Sequence, residues 1–317
     1  MVRFSARAFI TSAFAIALST PIGGALATTA PAQPPTEKTG ELNPQTRKDL
    51  EQSMRGEAFA NASYLLYAAQ AGRENLPSVA RLFERTAEVE FGEHFKEEAG
   101  LSGLVRGDAE HLRDAIKGET DESQKMYPGF ADQARAADDT EAADRFAEIA
   151  RDEGTHAQAF ETALRVVESG KGTVPAPPRV KPEEVPQGPP AVSAEQTKRD
   201  LDTAMHGEAL AHARYRLYAE NAKDPAVAHL FRGNADVERR EHFAEEAKLA
   251  GFVGTTSDNL KKAIAGERYE SQTMYPTFAK RAAAAGDTEA AERFSHNAED
   301  EAAHALAFQR ALDRLQP

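Results

Sequence analysis

The chain states one pattern twice. A stretch beginning near Thr46 recurs near Thr197, and each copy carries glutamates and histidines at the three-and-four spacing of a helix face. The first copy has Glu57, Glu90 with Glu93 and His94, Glu119 with Glu122, and Glu153 with His156. The second has Glu208, Glu238 with Glu241 and His242, Glu267 with Glu270, and Glu301 with His304. Four helices that each aim an acid or an imidazole at a shared centre are how a bundle holds two metal ions. The pattern therefore predicts an all-α chain of two tandem four-helix bundles, with a dinuclear site in each copy.

The apolar period within each copy is helical, and no alternating run suggests a strand. It predicts helices over 46–71, 76–100, 118–136 and 140–168, with 101–117 as a longer connection that includes a short helix after Asp108. The second copy repeats the plan at an offset of 151 for its first helix and 148 afterwards, the difference falling between Ala71 and Pro77. A length of 317 residues suits two domains, here 45–168 and 196–317. The segment 169–195 holds Pro175, Pro177, Pro178, Pro182, Pro186, Pro189 and Pro190, a density that forbids helix and favours an extended spacer.

The N-terminus reads as a processing segment. Arg3 and Arg7 are followed by the apolar run Ala8 to Leu18 and the small-x-small triplet Ala25-Leu26-Ala27. Residues 1–27 are expected to be a signal peptide and 28–44 a disordered tail. The mature chain would then be exported, periplasmic or secreted, with no membrane association after cleavage. A net charge of −13 argues against a nucleic-acid partner.

The acids do not read as a solvated face. Glu57 sits in the stripe Leu50, Met54, Tyr64, Ala68; Glu90 and His94 in Phe83, Ala87, Leu101; Glu119 and Glu122 in Ile116, Met126, Phe130; Glu153 and His156 in Phe146, Ile149, Phe160, Leu164. An uncompensated buried carboxylate costs several kcal/mol, against a total stability of about 5–15 kcal/mol. No Lys or Arg lies in these stripes, so metal is the expected counter-charge. Cysteine is absent, which leaves oxygen and imidazole ligands, a set that suits iron or manganese. Positions such as Phe91/Arg239 and Thr120/Arg268 have diverged between copies, while every inward acid and histidine is present in both.

Gly118-Glu119-x-x-Glu122 followed by Met126-Tyr127-Pro128, and Gly266-Glu267-x-x-Glu270 followed by Met274-Tyr275-Pro276, resemble helix C of rubrerythrin, a ferritin-like diiron protein. Glu57 with Tyr64, and Glu153-x-x-His156, resemble its first and last helices, and the likeness runs over essentially all of both copies. It implies two ferritin-like bundles with two iron ions each, cycling between Fe2+ and Fe3+. Glu90 and Glu153 would bridge the metals, with Glu57, Glu119 and His156 as terminal ligands; Glu238 and Glu301 would bridge in the second copy, with Glu208, Glu267 and His304 terminal. Glu122 and Glu270 match the additional helix-C carboxylate of the family. The implied chemistry is reduction of hydrogen peroxide, or dioxygen, with ferroxidase or iron handling as the alternative.

Two departures from the family stand out. Its helix B is usually Glu-x-x-His, whereas here the spacing is Glu-x-x-x-His; the apolar stripe favours His94 and His242 as the ligands, with Glu93 and Glu241 as the alternatives. On an ideal helix His94 lies about 40° from Glu90 and Glu93 about 60° to the other side, and a π-bulge would change both. Typical rubrerythrins also carry a four-cysteine rubredoxin module, which this chain lacks, so its electron donor would be external. The two copies are expected to pack as an internal pseudo-dimer.

Tyr64, Tyr127, Tyr215 and Tyr275 are candidates to hydrogen-bond the ligand carboxylates, or are buried tyrosines satisfied elsewhere. Asp152 and Asp300, four residues before His156 and His304 on the last helix of each copy (helix D), either orient an imidazole or are solvated. His111, His206, His212, His229 and His296 each occur in one copy only and read as surface residues.

Overall fold

Each copy folds into four helical runs, and in each copy the second and third runs are widened by one π turn. The computed structural model describes residues 41–315, so the expected signal peptide and most of the expected tail lie outside the described residues. In the first copy the runs are α1 (Pro44–Arg73), α2 and α3 (Pro77–Val89, Lys96–Ser102) joined by a π turn at Glu90–Phe95, α4 and α5 (Asp108–Asp121, Tyr127–Ala136) joined by a π turn at Glu122–Met126, and α6 (Thr140–Ser169). In the second they are α7 (Glu195–Asn221), α8 and α9 (Pro225–Val237, Phe243–Leu249) joined at Glu238–His242, α10 and α11 (Thr256–Tyr269, Tyr275–Ala285) joined at Glu270–Met274, and α12 (Thr288–Leu315). Pro44, Pro77 and Pro225 occupy first turns, where a missing N–H costs nothing. None of these helices is long and apolar enough to cross a membrane.

The third run corrects the sequence reading. Helix begins at Asp108, not Gly118, because Leu112, Ala115 and Glu119 continue one buried face through a glycine that a helix tolerates. The connection between the second and third runs shrinks accordingly to residues 103–107. Gly103, at φ +70°, ends α3 in the left-handed region, and the backbone N–H of Arg106 donates to Nε2 of His111 at 2.7 Å. His111 is itself buried and stacked on Tyr218, with ring centroids 4.1 Å apart, so it is a structural histidine and not the surface residue expected.

That short connection decides the topology. Hydrogen bonds pair Ser53 with Glu98 and Asn61 with the Ala87 carbonyl, so the first two runs are antiparallel. Tyr64 bonds Glu267 and Arg281 bonds Asp49, so the third run of the second copy is also antiparallel to α1. The second and third runs of one bundle are thus parallel, and joining them within it requires a crossover of nearly its whole length. The α2–α3 run, 26 residues over Pro77–Ser102, is about 39 Å long, whereas the chain from Ser102 to Asp108 can reach only about 20 Å. The expectation of one complete bundle per copy therefore gives way to an exchange. One bundle contains α1, α2, α3, α10, α11 and α12; the other contains α7, α8, α9, α4, α5 and α6.

The cores follow the exchange. Tyr64, Phe83 and Val79 of the first copy pack with Leu260, Ile264 and Phe308 of the second, and Leu112 and Phe160 pack with Tyr215, Val227 and Phe231 in the reciprocal core. The bundles meet where Met54, Ala58 and Ala62 of α1 face Met205, Ala209 and Ala213 of α7, small residues that allow close approach. Phe59 stacks on His206 across this seam at 3.7 Å, which half-buries that histidine, while His229 and His296 are exposed. The described residues accordingly form one compact unit.

The proline-rich segment is extended, as expected, but it is bound. Its N–H groups at Glu183 and Ala191 donate to the carbonyls of Arg240 and Leu249, and its own Val185 and Val192 are buried in the neighbouring cores. Its prolines hold the backbone out of helix, so the strap docks through non-proline N–H groups. Asp139 accepts the backbone N–H groups of Ser193 and Ala194, tying its end to the start of α6.

An isolated first copy, residues 41–168, is expected to behave as a dimer that rebuilds both bundles by intermolecular exchange. Light scattering across a dilution series checks this, and a folded, metal-binding monomer would overturn the exchanged topology.

Candidate metal centre

The π turns explain the anomalous spacing on the second run. Residues four apart lie about 40° from each other even on an ideal helix, and the π turn keeps them on one face, so Glu90 with His94 and Glu238 with His242 are all buried and directed inward. Glu93 is exposed, and the Glu241 carboxylate accepts the backbone N–H of Lys181 from the strap. The histidine, not the adjacent glutamate, is the donor on this run.

Each centre draws two helical runs from each copy. In the first, Nδ1 of His94 lies 3.0 Å from Glu90, 2.9 Å from Glu301 and 3.4 Å from Glu57. Nδ1 of His304 lies 2.8 Å from Glu301, 3.3 Å from Glu90 and 3.7 Å from Glu267. Two donor groups result, Glu57-Glu90-His94-Glu301 and Glu90-Glu267-Glu301-His304, which share Glu90 and Glu301. The second centre repeats them as Glu153-Glu208-Glu238-His242 and Glu119-Glu153-His156-Glu238, which share Glu153 and Glu238. The shared acids are the four for which bridging was expected, but they pair across copies: Glu90 with Glu301, and Glu153 with Glu238.

Burial and mutual repulsion dominate the electrostatics. Burial, then Glu267, lifts Glu90 to about 7, and burial, then Glu153, lifts Glu208 to about 8. Burial also raises Glu119 and Glu267 well above the usual carboxylate range, reinforced by Glu153 and Glu301 respectively. It opposes ionisation of Glu57 as well, but the adjacent His94 overcomes it and holds Glu57 below its ordinary value. Burial would discharge the His94 ring, yet Glu301 and Glu57 keep it strongly protonated. Among the described residues no lysine or arginine pairs with any of these acids. Both oxygens of Glu90 and of Glu238, and one each of Glu119, Glu153, Glu267 and Glu301, are buried without a hydrogen-bond partner. Unpartnered carboxylate oxygens converging with imidazole nitrogens fit a pair of divalent or trivalent cations, and the all-oxygen-and-nitrogen set suits iron or manganese.

Glu122 and Glu270 belong to neither donor group. They face the centres, where burial followed by Glu153, or by Glu57, raises them well above the ordinary carboxylate value. Glycine precedes the first-run glutamate in each copy and leaves room beside them: a Cβ on Gly56 would stand 3.4 Å from Glu270, and one on Gly207 would stand 3.8 Å from Glu122.

The surrounding shell is also exchanged between copies. Tyr64 donates to Glu267 at 2.6 Å and Tyr215 to Glu119 at 2.5 Å; Tyr275 donates to Glu57 and Tyr127 to Glu208. All four tyrosines thus hold a ligand carboxylate of the other copy. Asp300 and Asp152 reach the helix-B histidines, not the helix-D ones considered from the sequence: Asp300 lies 3.4 Å from Nε2 of His94, and Asp152 3.8 Å from Nε2 of His242. Accepting the Nε2 proton of His94 leaves its Nδ1 free toward the donor group, whereas Asp152 stands beyond hydrogen-bond reach of His242 and that Nε2 has no partner.

Glu98 and Glu246 escaped the sequence reading. Both are fully buried one turn beyond the helix-B histidines. Glu98 accepts from Ser53 at 2.5 Å and Asn297 at 2.9 Å, whereas Glu246 accepts only from Tyr127 at 2.9 Å. The positions equivalent to Ser53 and Asn297 are Ala204 and Ile149. The recurrence of a glutamate four residues after the histidine in both copies was the available signal.

Two oxygen-and-imidazole centres, each enclosed by four helices and each with two shared carboxylates, define a ferritin-like carboxylate bundle of the dinuclear type. Comparison with known proteins agrees, since the rubrerythrin family profile matches residues 48–164 and 231–312. The chain belongs to the rubrerythrin family. It is similar to rubrerythrin of Porphyromonas gingivalis, at 33% identity over 139 residues, covering 40% of this chain and 69% of that protein. Rubrerythrin-2 of Clostridium acetobutylicum is 31% identical over 38% of this chain and 73% of its own length. Rubrerythrin of Nitratidesulfovibrio vulgaris is 32% identical over 37% and 70% respectively. No solved structure gives a significant match.

The shared centres make a specific prediction about metal content. Glu90→Ala and Glu301→Ala strike the same centre, so the double variant should keep about half the wild-type metal, like either single variant. Glu90→Ala with Glu153→Ala strikes both and should lose nearly all of it, as mass spectrometry of bound metal can show. The asymmetric shell makes another. Glu98→Leu strands Ser53 and Asn297 and should cost about 1–3 kcal/mol in denaturant unfolding, whereas Glu246→Leu should be neutral or stabilising.

Proposed function

We propose that this protein is an exported rubrerythrin-type oxidoreductase that reduces hydrogen peroxide at a carboxylate-bridged diiron centre in each exchanged bundle. The observation that carries this reading is the pair of donor groups sharing two carboxylates, Glu90 and Glu301 or Glu153 and Glu238, beside a further unengaged glutamate. Two ferrous ions held there would supply the two electrons that, with two protons, convert hydrogen peroxide to two molecules of water. The protein's own part is positioning. Tyr275 and Tyr64 fix the carboxylates of Glu57 and Glu267, and Asp300 sets the tautomer of His94. The apolar residues around the centre limit water and leave only its outer side open. His304 is 16% exposed while Glu57, Glu90 and His94 are at most 2% exposed, so a reactant as small as peroxide would arrive past the helix-D histidine.

The basic, apolar and small-residue order of residues 1–27 supports action outside the cytoplasm. With no cysteine in the chain, electrons must come from an external donor. Ferrous protein mixed anaerobically with stoichiometric peroxide should oxidise much faster than the same protein mixed with dioxygen, read by stopped-flow absorbance. Equal or faster reaction with dioxygen, accompanied by accumulation of ferric mineral, would favour ferroxidase or iron-handling activity instead.

A further inference from the structure

Away from both centres the copies differ in a way that concentrates positive charge. Where the first copy has Asn61, Leu65, Glu84 and Phe91, the second has His212, Arg216, Arg232 and Arg239. These four residues, with Leu65, Ala235 and Asp236, line a cleft of about 300 Å3 on the flank of α7 and α8. Three guanidinium groups converge there in a chain whose net charge is −13. Among the described residues none of the three has a carboxylate within 4.0 Å or any hydrogen-bond acceptor. Asp236, the acid in the lining, sits 4.0 Å from Arg240. The Arg216 guanidinium is half-buried over the Phe91 ring, 3.6 Å from its centroid. Burial weakens the Arg239 cation, and the neighbouring Arg240 and Arg216 weaken it further against the pull of Asp236.

His212 completes the cleft and was misread from the sequence as a surface residue. It is 3% exposed, and its Nδ1–H donates to the Ala235 carbonyl at 2.6 Å. Asn61 makes the same bond in the first copy, from Nδ2 to the Ala87 carbonyl at 2.5 Å. The imidazole thus keeps the structural bond and adds Nε2, which is buried without a partner. With its proton on Nδ1, the ring presents a lone pair at Nε2 and can only accept there.

We propose that this cleft binds one inorganic hydrogen phosphate, its anionic oxygens on Arg216, Arg232 and Arg239 and its O–H donating to Nε2 of His212. Arginine forks match such an oxyanion. The acceptor nitrogen selects an anion that retains a proton, which sulfate and the dianion of a phosphate monoester do not.

Calorimetric titration of the full chain with phosphate, sulfate and methyl phosphate tests the assignment, with bound metal measured in every sample. Phosphate should bind at one equivalent per chain, about tenfold or more tighter than the other two anions. Arg216→Leu and Arg239→Phe install the residues of the first copy and should each weaken it by about tenfold. His212→Asn keeps the bond to Ala235 and should retain anion binding while abolishing the preference for phosphate over sulfate. Phosphate uptake unchanged in Arg216→Leu and Arg239→Phe would place the anion on the metal centres and overturn the proposal, as would two equivalent sites or no binding at all.

Discussion

Carboxylates gathered in a core where, among the described residues, no lysine or arginine pairs with them set the terms for this structure. Around each centre four glutamates and two histidines gather in two overlapping donor groups whose atoms lie within 4.8 Å of one another, with a fifth glutamate beside them. Imidazolium rings offset part of that charge, and tyrosine hydroxyls hold individual oxygens, but many oxygens stay unpartnered. The arrangement makes physical sense as a cradle for cations whose charge exceeds what side chains can bring inside. The π turns belong to the same constraint. They widen the second run just where an acid and an imidazole four residues apart must share a face, and they cost backbone regularity to do so.

A second constraint, purely geometric, determines whose carboxylates meet. A parallel pair of runs inside one bundle needs a crossover as long as the bundle, and 103–107 and 250–255 are far too short. Exchange of the third and fourth runs removes the need for any crossover. The consequence is that each centre is a joint property of both copies: Tyr64 of the first steadies Glu267 of the second, and Tyr215 of the second steadies Glu119 of the first. The strap from Gly170 to Ala194 therefore connects two copies already interlocked by their helices, and it packs as part of the surface instead of spacing two domains apart.

The two bundles have diverged in how well their buried polar groups are matched. One oxygen of Glu98 accepts from both Ser53 and Asn297 while the other has no partner, whereas its counterpart Glu246 sits where the equivalent positions are alanine and isoleucine. The outer flank has diverged more, with arginines replacing leucine, glutamate and phenylalanine around His212. The metal-facing acids, histidines and their tyrosines are duplicated, while the partners of Glu98 and the outer flank are not.

Helix type, helix number and the ligand glutamates and histidines were legible from sequence because they depend on local periodicity and on the cost of placing charge in an apolar stripe. Glu57, Glu90, His94, Glu153 and His156 could be read from their own helices for that reason. The stripe favoured His94 over Glu93, but the π turn that seats it could not be read, since it is a local widening that an ideal helix does not contain. Gly118 disguised the true start of the third run, and with it the length of the connection, so the exchange stayed hidden. Buried Glu98, His111 and His212 were missed because their neighbours come from distant segments or, for His212, from a bond that an asparagine makes equally well in the other copy. The sequence by itself determined which side chains must leave water and what chemistry they carry. Only the tertiary structure decided which copy each centre borrows them from, because that depends on how far five residues of backbone can reach.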